Sequence, residues 1–345
     1  MILSYLPSAT MPNPIDPPPG AYVVTGAGGF IGSHVIRRLR DAGREVIAAD
    51  LAPPPVLPQG VGYVRMDLRD RASVRRAFAG LRPTFAIHLA AKVGDWGDPE
   101  EFEAINVTGA RALLEVACDA GVSRALHVSS IAAMGLAAGE RADETAEPVG
   151  AGDAYSDTKA AGERAARALA AQGAPITVVR PGDVYGVGCV PWVRRPIELL
   201  RTKKMVLVDG GRGHFAHVHV ENLIDAFFLA LASERARGEL FIVTDGDDHL
   251  SVGEYFTRLA DVCDLPRPRL DLPRPAAEAL AAGFELAARL SRRAPPFSRA
   301  AIGYVCRRGG FSIEKARAAL GYAPRVTLDE GLREIGRCYR EETCA

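Results

Sequence analysis

The feature that most limits how this chain can fold is an alternation running from Gly20 to about Pro181. Short apolar runs, "AYVVTG" (21–26), "REVIAAD" (44–50), "GYVRMD" (62–67), "TFAIHLAA" (84–91), "RALHVSS" (124–130) and "PITVVRP" (175–181), are separated by helical patterns over 30–42, 71–79, 99–120 and 155–171. Strands this continuously apolar are buried on both faces, and a helix between successive strands returns the chain so that they run parallel. The pattern predicts an α/β fold, a doubly wound parallel sheet with helices on both sides.

Beyond Pro181 the alternation becomes irregular. Prolines cluster at 266–275 and 295–296, a short strand is expected at 240–245, and helices are expected near 220–233, 251–263, 276–293, 312–320 and 327–341. This predicts a smaller α/β lobe over 182–345, mainly substrate-binding, with some segments returning to the sheet of the 20–181 domain. The first 19 residues carry no basic segment and are broken by prolines, so they read as a disordered tail rather than a signal peptide, with Met11 a second candidate start.

The 345 residues carry a formal net charge of +0, which gives no attraction to nucleic acid. The six cysteines are scattered without metal-ligand spacing, as expected of reduced thiols in a cytoplasmic protein with no metal site. No apolar run approaches the roughly 18 residues of a membrane span.

The first strand runs into "TGAGGFIG", where Gly26, Gly29 and Gly32 form a GxxGxxG turn that leads through Phe30 and Ile31 into a helix. Such a turn lets backbone approach a pyrophosphate closely and aims a helix N-terminus at it. The second strand ends in Asp50, a carboxylate placed to accept from an adenosine ribose diol and to repel a 2′-phosphate; the following "LAPPP" offers no arginine for that phosphate. The cofactor expected is NAD. Asp67 and Leu68 suit the adenine edge, and Leu89, Ala90, Ala91 and Lys92 follow the fourth strand beside the pyrophosphate and ribose.

Ser129 and Ser130 end the fifth strand, where a doubly wound sheet places its ligand. Tyr155 and Lys159 stand one turn apart on the next helix. Alone, the pair is a surface tyrosine over a lysine stem. Beside a dinucleotide it is a proton-transfer pair: a tyrosine pKa near ~10 is too high for efficient work at neutral pH, and a nearby ammonium is expected to lower it. Lys159 also has hydrogen bonds to offer the nicotinamide ribose, and Ser130 is placed to orient the substrate oxygen.

Together "TGAGGFIG", "HLAA", "NVTG" (106–109), "VSS" (128–130), "YSDTK" (155–159), "RPGDVYG" (180–186), "HVEN" (219–222) and the ending "FSIEKARAALGYAPRVTLDEGLRE" (311–334) resemble the extended short-chain dehydrogenase/reductase superfamily. The resemblance spans about residues 20–342 and is strongest to its 3β-hydroxysteroid and sterol-4-carboxylate dehydrogenase branch. It implies a Rossmann fold, Tyr155 as acid/base, Lys159 as its partner and Ser130 as oxygen orienter. It also implies that Pro181 and Gly182 line the nicotinamide and that Asn106 orders the loop after the fourth strand.

The chain departs from the superfamily's nucleotide-sugar enzymes. Asp183 stands where asparagine is usual, Phe215 where an arginine clamps the substrate diphosphate, and Ile131 and Ala132 where dehydratases carry an Asp-Glu pair. The expected activity is therefore hydride transfer between NAD and a secondary alcohol or ketone of a small hydrophobic, sterol-like or 3-keto acid-like substrate. A nucleotide-sugar epimerase is the alternative, and a non-catalytic NAD sensor a more distant one. The small-residue helices 99–120 and 155–171 predict a homodimer, an arrangement common in the superfamily. The helix 276–293 reads either as core of the small lobe or as a cap over an apolar substrate that also touches a membrane surface.

Overall fold

A computed structural model describes residues 14–344 apart from 137–138, 140, 247–248 and 292. Met11 and most of the expected tail lie outside the described residues.

Among the described residues there are thirteen strands: β1 (Ala21–Thr25), β2 (Glu45–Asp50), β3 (Gly62–Arg65), β4 (Phe85–His88), β5 (Arg124–Val128), β6 (Arg141–Ala142), β7 (Ile176–Pro181), β8 (Asp183–Tyr185), β9 (Val206–Val208), β10 (His217–His219), β11 (Leu240–Val243), β12 (Leu270–Leu272) and β13 (Gly310–Phe311). Seven form one parallel sheet in the order β11-β7-β5-β4-β1-β2-β3. The order reverses between β1 and β4, which opens a crevice at the strands' C-terminal ends.

The helices are α1 (Phe30–Asp41), α2 (Arg71–Phe78), α3 (Pro99–Glu103), α4 (Ala110–Asp119), α5 (Ala154–Ala171), α6 (Arg195–Arg201), α7 (Val220–Ala232), α8 (Val252–Val262), α9 (Arg274–Ser291), α10 (Arg299–Val305), α11 (Glu314–Leu320) and α12 (Leu328–Cys344). One sheet face is covered by α1 and α7 through Val35, Leu39, Leu223 and Phe227 packed on Val24 and Ile87. The other is covered by α2, α4 and α5 through Val74, Leu113, Leu114 and Ala166 on Val23 and Val178. The small lobe has its own core, in which Phe215, Tyr255, Phe256 and Leu259 meet Leu332 and Ile335 of α12. No helix among the described residues is long and apolar enough to cross a membrane.

Two elements beyond Pro181 are among the segments that return to the main sheet. Leu240–Val243 is the seventh strand of the main sheet, paired in parallel with β7, and α7 lies under that sheet against α1. Both are almost wholly buried, as a two-sided strand and its covering helix must be. The described residues of the expected tail, 14–19, are tied to the first domain. The backbone N–H of Ile15 donates to Asp225 (3.2 Å), Arg38 donates to the Ile15 carbonyl (2.6 Å), and the Tyr22 hydroxyl donates to the Pro18 carbonyl (2.6 Å).

Candidate active site

The glycine turn sits at the crevice as expected. A Cβ on Gly26 would come within 2.7 Å of the Ala90 nitrogen, and one on Gly32 would collide with the Gly26 carbonyl, so the turn and the loop after β4 approach as only glycine permits. Gly29 caps α1 without a side-chain hydrogen bond, leaving the first N–H groups of the helix to an incoming anion. Phe30 and Ile31 begin the helix and pack against the sheet core. Asp50 accepts from the backbone N–H of Gly28 (2.9 Å) and of Leu51 (2.7 Å), which places its carboxylate at the rim of the turn. Close backbone, uncapped helix and rim carboxylate fit a dinucleotide.

The remaining cofactor-side residues divide. The N–H groups of Leu89 and Ala90 are held by the Thr25 hydroxyl (3.2 Å each), with Ala91 next in the loop. Asn106 lies in a π-helical turn between α3 and α4, accepts from the Lys92 N–H (2.7 Å), and donates to the Lys92 carbonyl (2.9 Å) and the Thr158 hydroxyl (3.1 Å), tying that loop to α5. The Lys92 ammonium instead turns to Glu101, so this residue meets the crevice through its backbone. Leu68 is buried. Asp67 is engaged by Arg69 (2.7 and 2.9 Å), whose hydrogen bond holds its carboxyl below the usual range. The Gly182 N–H donates to the Val243 carbonyl (2.9 Å), which fixes Pro181 and Gly182 at the ends of β7 and β11.

Ser130, Tyr155 and Lys159 do converge. Asp153 caps α5 by accepting from the N–H groups of Tyr155 and Ser156 (3.0 Å each), which sets the start of the helix and the phase of its face. Ser130 ends the β5 segment, caps a short 3₁₀ turn, and hydrogen-bonds to the Tyr155 hydroxyl. The Lys159 ammonium is buried and donates to the Val128 carbonyl at 2.6 Å.

The electrostatics reverse one expectation. The Tyr155 pKa is raised, not lowered: burial dominates, the Ser130 hydrogen bond opposes it, and the carboxylates of Asp153 and Asp183 add to it. Burial also brings Lys159 down to about 8, against the opposing pull of Glu163. His88, behind the site, is pushed down to about 3 by burial and then by Lys159, and stays neutral.

Two buried clusters escaped the sequence reading. The first stands one turn beyond Lys159. Glu163 takes a bidentate contact from Arg180 (2.8 and 2.5 Å) and a hydrogen bond from the Ser129 hydroxyl (2.7 Å), with both charged side chains fully buried. The second lies on the substrate side. Asp183 accepts from the Tyr304 hydroxyl (2.8 Å) and pairs with Arg307, whose guanidinium stacks 4.1 Å from the Tyr304 ring. The i,i+4 step from Lys159 to Glu163 was a visible signal for the first. Residues 183, 304 and 307 are too far apart in sequence for any signal. Phe215 is fully buried, its ring 4.1 Å from Tyr255 and 4.8 Å from Trp192.

Comparison with known proteins agrees with this geometry. The sequence pattern of the NAD dependent epimerase/dehydratase family matches residues 22–243. The chain is 30% identical to the 2-alkyl-3-oxoalkanoate reductase of Stenotrophomonas maltophilia, over 91% of this chain and 97% of that one. It is 31% identical to sterol demethylase protein B of Methylococcus capsulatus, over 88% and 94%. Among solved structures it resembles the UDP-glucose 4-epimerase of Thermus thermophilus in complex with NAD, with a TM-score of 0.72, 28% identity, and coverage of 93% and 99%. The chain thus belongs to the NAD dependent epimerase/dehydratase family, within the extended short-chain dehydrogenase/reductase superfamily, and is an NAD-dependent oxidoreductase of that type.

Proposed function

We propose that this enzyme reduces the ketone of a hydrophobic substrate to a secondary alcohol, with Tyr155 as proton donor. The observation that carries the reading is the closure of Asp183. Each of its oxygens is engaged, one by Tyr304 and one by Arg307, so its charge is compensated inside the protein rather than presented to a polar substrate, and the Tyr304 ring lies 6.3 Å from that of Trp192. Phe215, in the position read from sequence as the diphosphate clamp, is sealed in the core. The names of the Stenotrophomonas and Methylococcus relatives, an oxoalkanoate reductase and a sterol demethylase protein, support an apolar substrate.

Reduced nicotinamide supplies the hydride when bound. The residues do the rest. Ser130 holds the carbonyl oxygen by hydrogen bonding. Tyr155, kept protonated at neutral pH by its burial, gives its proton to that oxygen as the carbon–hydrogen bond forms. Lys159, still largely charged below about pH 8, stabilises the tyrosinate left behind. Asp50 selects NAD(H) over its phosphorylated form. In keeping with the superfamily, two copies pair through α4 and α5.

The likeness to a UDP-glucose 4-epimerase favours the competing reading. A NADH-fluorescence turnover screen of sterol ketones, 3-oxo acids and UDP-sugars separates the two, alongside melting curves with UDP. Turnover of an apolar ketone with no UDP-dependent rise in melting temperature supports the proposal. A clear rise with UDP, and turnover confined to UDP-sugars, overturns it.

A further inference from the structure

The small lobe carries an apolar helical face that none of the described residues covers. At about 100° per residue, Ala276, Ala279, Leu280, Gly283, Leu286, Ala287 and Leu290 of α9 share an arc of about 120°, and all are exposed. Leu280, Leu286 and Leu290 stand 44%, 62% and 82% exposed. The opposite arc, Ala277, Ala281 and Ala288, is the one that packs, with Ala277 and Ala281 meeting Ile302, Val208 and Leu272. The four charged residues, Arg274, Glu278, Glu285 and Arg289, fall on one flank between these arcs. In the helix read from sequence as core or cap, the leucines are therefore solvent-facing, and alanines make the internal contacts.

A second exposed apolar pair lies on the ribbon that α9 packs against. In the β9–β12 ribbon, Leu270 pairs directly with Val206, on the same side as Leu272 and Val208, where α9 sits. Val206 and Leu270 are left exposed beside it. Cations stand next to both parts: Lys203 and Lys204 lead into β9, Arg269 leads into β12, and Arg289 and Arg293 close α9. All five are exposed, and among the described residues none of them makes a salt bridge.

We propose that α9 and the β9–β12 ribbon form a docking surface for an anionic lipid bilayer. Leucines spread along about 15 Å of helix suit shallow burial at the boundary of headgroups and acyl chains, and exposed lysines and arginines beside them suit anionic headgroups. Long basic side chains reach the headgroups while their stems stay on apolar surface. The helix lies in the plane of the interface, since it does not qualify as a span. This surface does not depend on the substrate reading, and its test uses no substrate.

The full chain is floated with phosphatidylcholine vesicles, with and without phosphatidylglycerol, at low and high salt. The expected result is binding that requires phosphatidylglycerol and weakens with salt. The variant combining Leu286→Glu and Leu290→Glu binds about tenfold less or worse, with melting temperature and NADH affinity unchanged because both side chains are exposed. Absence of vesicle binding, equal binding to neutral vesicles, or undiminished binding of the variant overturns the proposal. So does light scattering that shows a wild-type dimer turned to monomer by the same substitutions, since a second copy is then what covers the face.

Discussion

Glu163 is the most informative residue to perturb away from the reacting atoms. Its carboxylate neutralises Arg180, holds the Ser129 hydroxyl, and lies one helical turn from Lys159, and both ion-pair partners are fully buried. Glu163→Gln keeps the shape and removes the charge, leaving a buried guanidinium without a counter-ion. Breaking a buried pair from one side costs about 3–5 kcal/mol. For a chain of 345 residues the unfolding entropy is about 0.7 kcal/mol per degree, so the melting temperature should fall by about 4–7 °C. The same charge supports the Lys159 ammonium against its burial, so without it Lys159 falls further below about 8. Its charged form is then lost at lower pH, and the alkaline fall in ketone reduction moves down the pH scale. Melting followed by circular dichroism and a pH–rate profile read the two effects separately. A melting temperature within about 1 °C of wild type, which corresponds to less than about 1 kcal/mol, refutes the assigned weight of the pair. An unmoved profile refutes its coupling to Lys159. Replacing both partners by apolar residues, Glu163→Leu with Arg180→Met, should cost less than the single change, because no charge is stranded.

Other outcomes follow from the same structure. NADH should bind at least about tenfold more tightly than NADPH, about 1.4 kcal/mol, and Asp50→Ala should narrow that gap in a fluorescence titration; equal affinities for the wild type contradict the role of Asp50. Wild-type reduction should decline as pH rises through about 8, since Lys159 carries its charge below that value and loses it above; a rate that keeps rising well into the alkaline range contradicts this. Asp183→Asn weakens the hold on Arg307 and should raise KM for the apolar ketone more than it lowers kcat, and a change confined to kcat contradicts its place in the substrate wall. Light scattering should give the mass of a dimer at micromolar concentration, with a monomer counting against pairing through α4 and α5.

The central strands β4, β5 and β7 were legible because each is buried on two faces and writes that burial as a largely apolar run, whereas β3 at the sheet edge is only partly buried. Observed ends fall two or three residues short of the expected ones, where strands pass into the loops that hold Asp67, Ala90 and Ser130. What the chain order left open was which segments return to the main sheet, namely β11 and α7. Their hydropathy shows burial but not the neighbour they bury against. The spacing of Tyr155 and Lys159 predicted a shared helix, both lie on α5, and Asp153 explains the phase of that helix. The sign of the tyrosine shift was not legible, because desolvation is set by packing from β5, β8 and α10 rather than by a neighbour one turn away. The same holds for Asp183. As a letter in "RPGDVYG" it reads as a departure from asparagine, and only the fold brings Tyr304 and Arg307 to it.

The central claim, that Tyr155 protonates the oxygen of an apolar ketone during NADH oxidation, meets its most direct test in Tyr155→Phe. Single-turnover NADH oxidation with the ketone that the wild type turns over fastest reads the chemical step, and a titration in the same cuvette reads cofactor affinity. The account predicts a loss of rate on the order of 10²-fold or more with NADH affinity little changed. A phenylalanine variant that keeps near-wild-type rate on that ketone contradicts it.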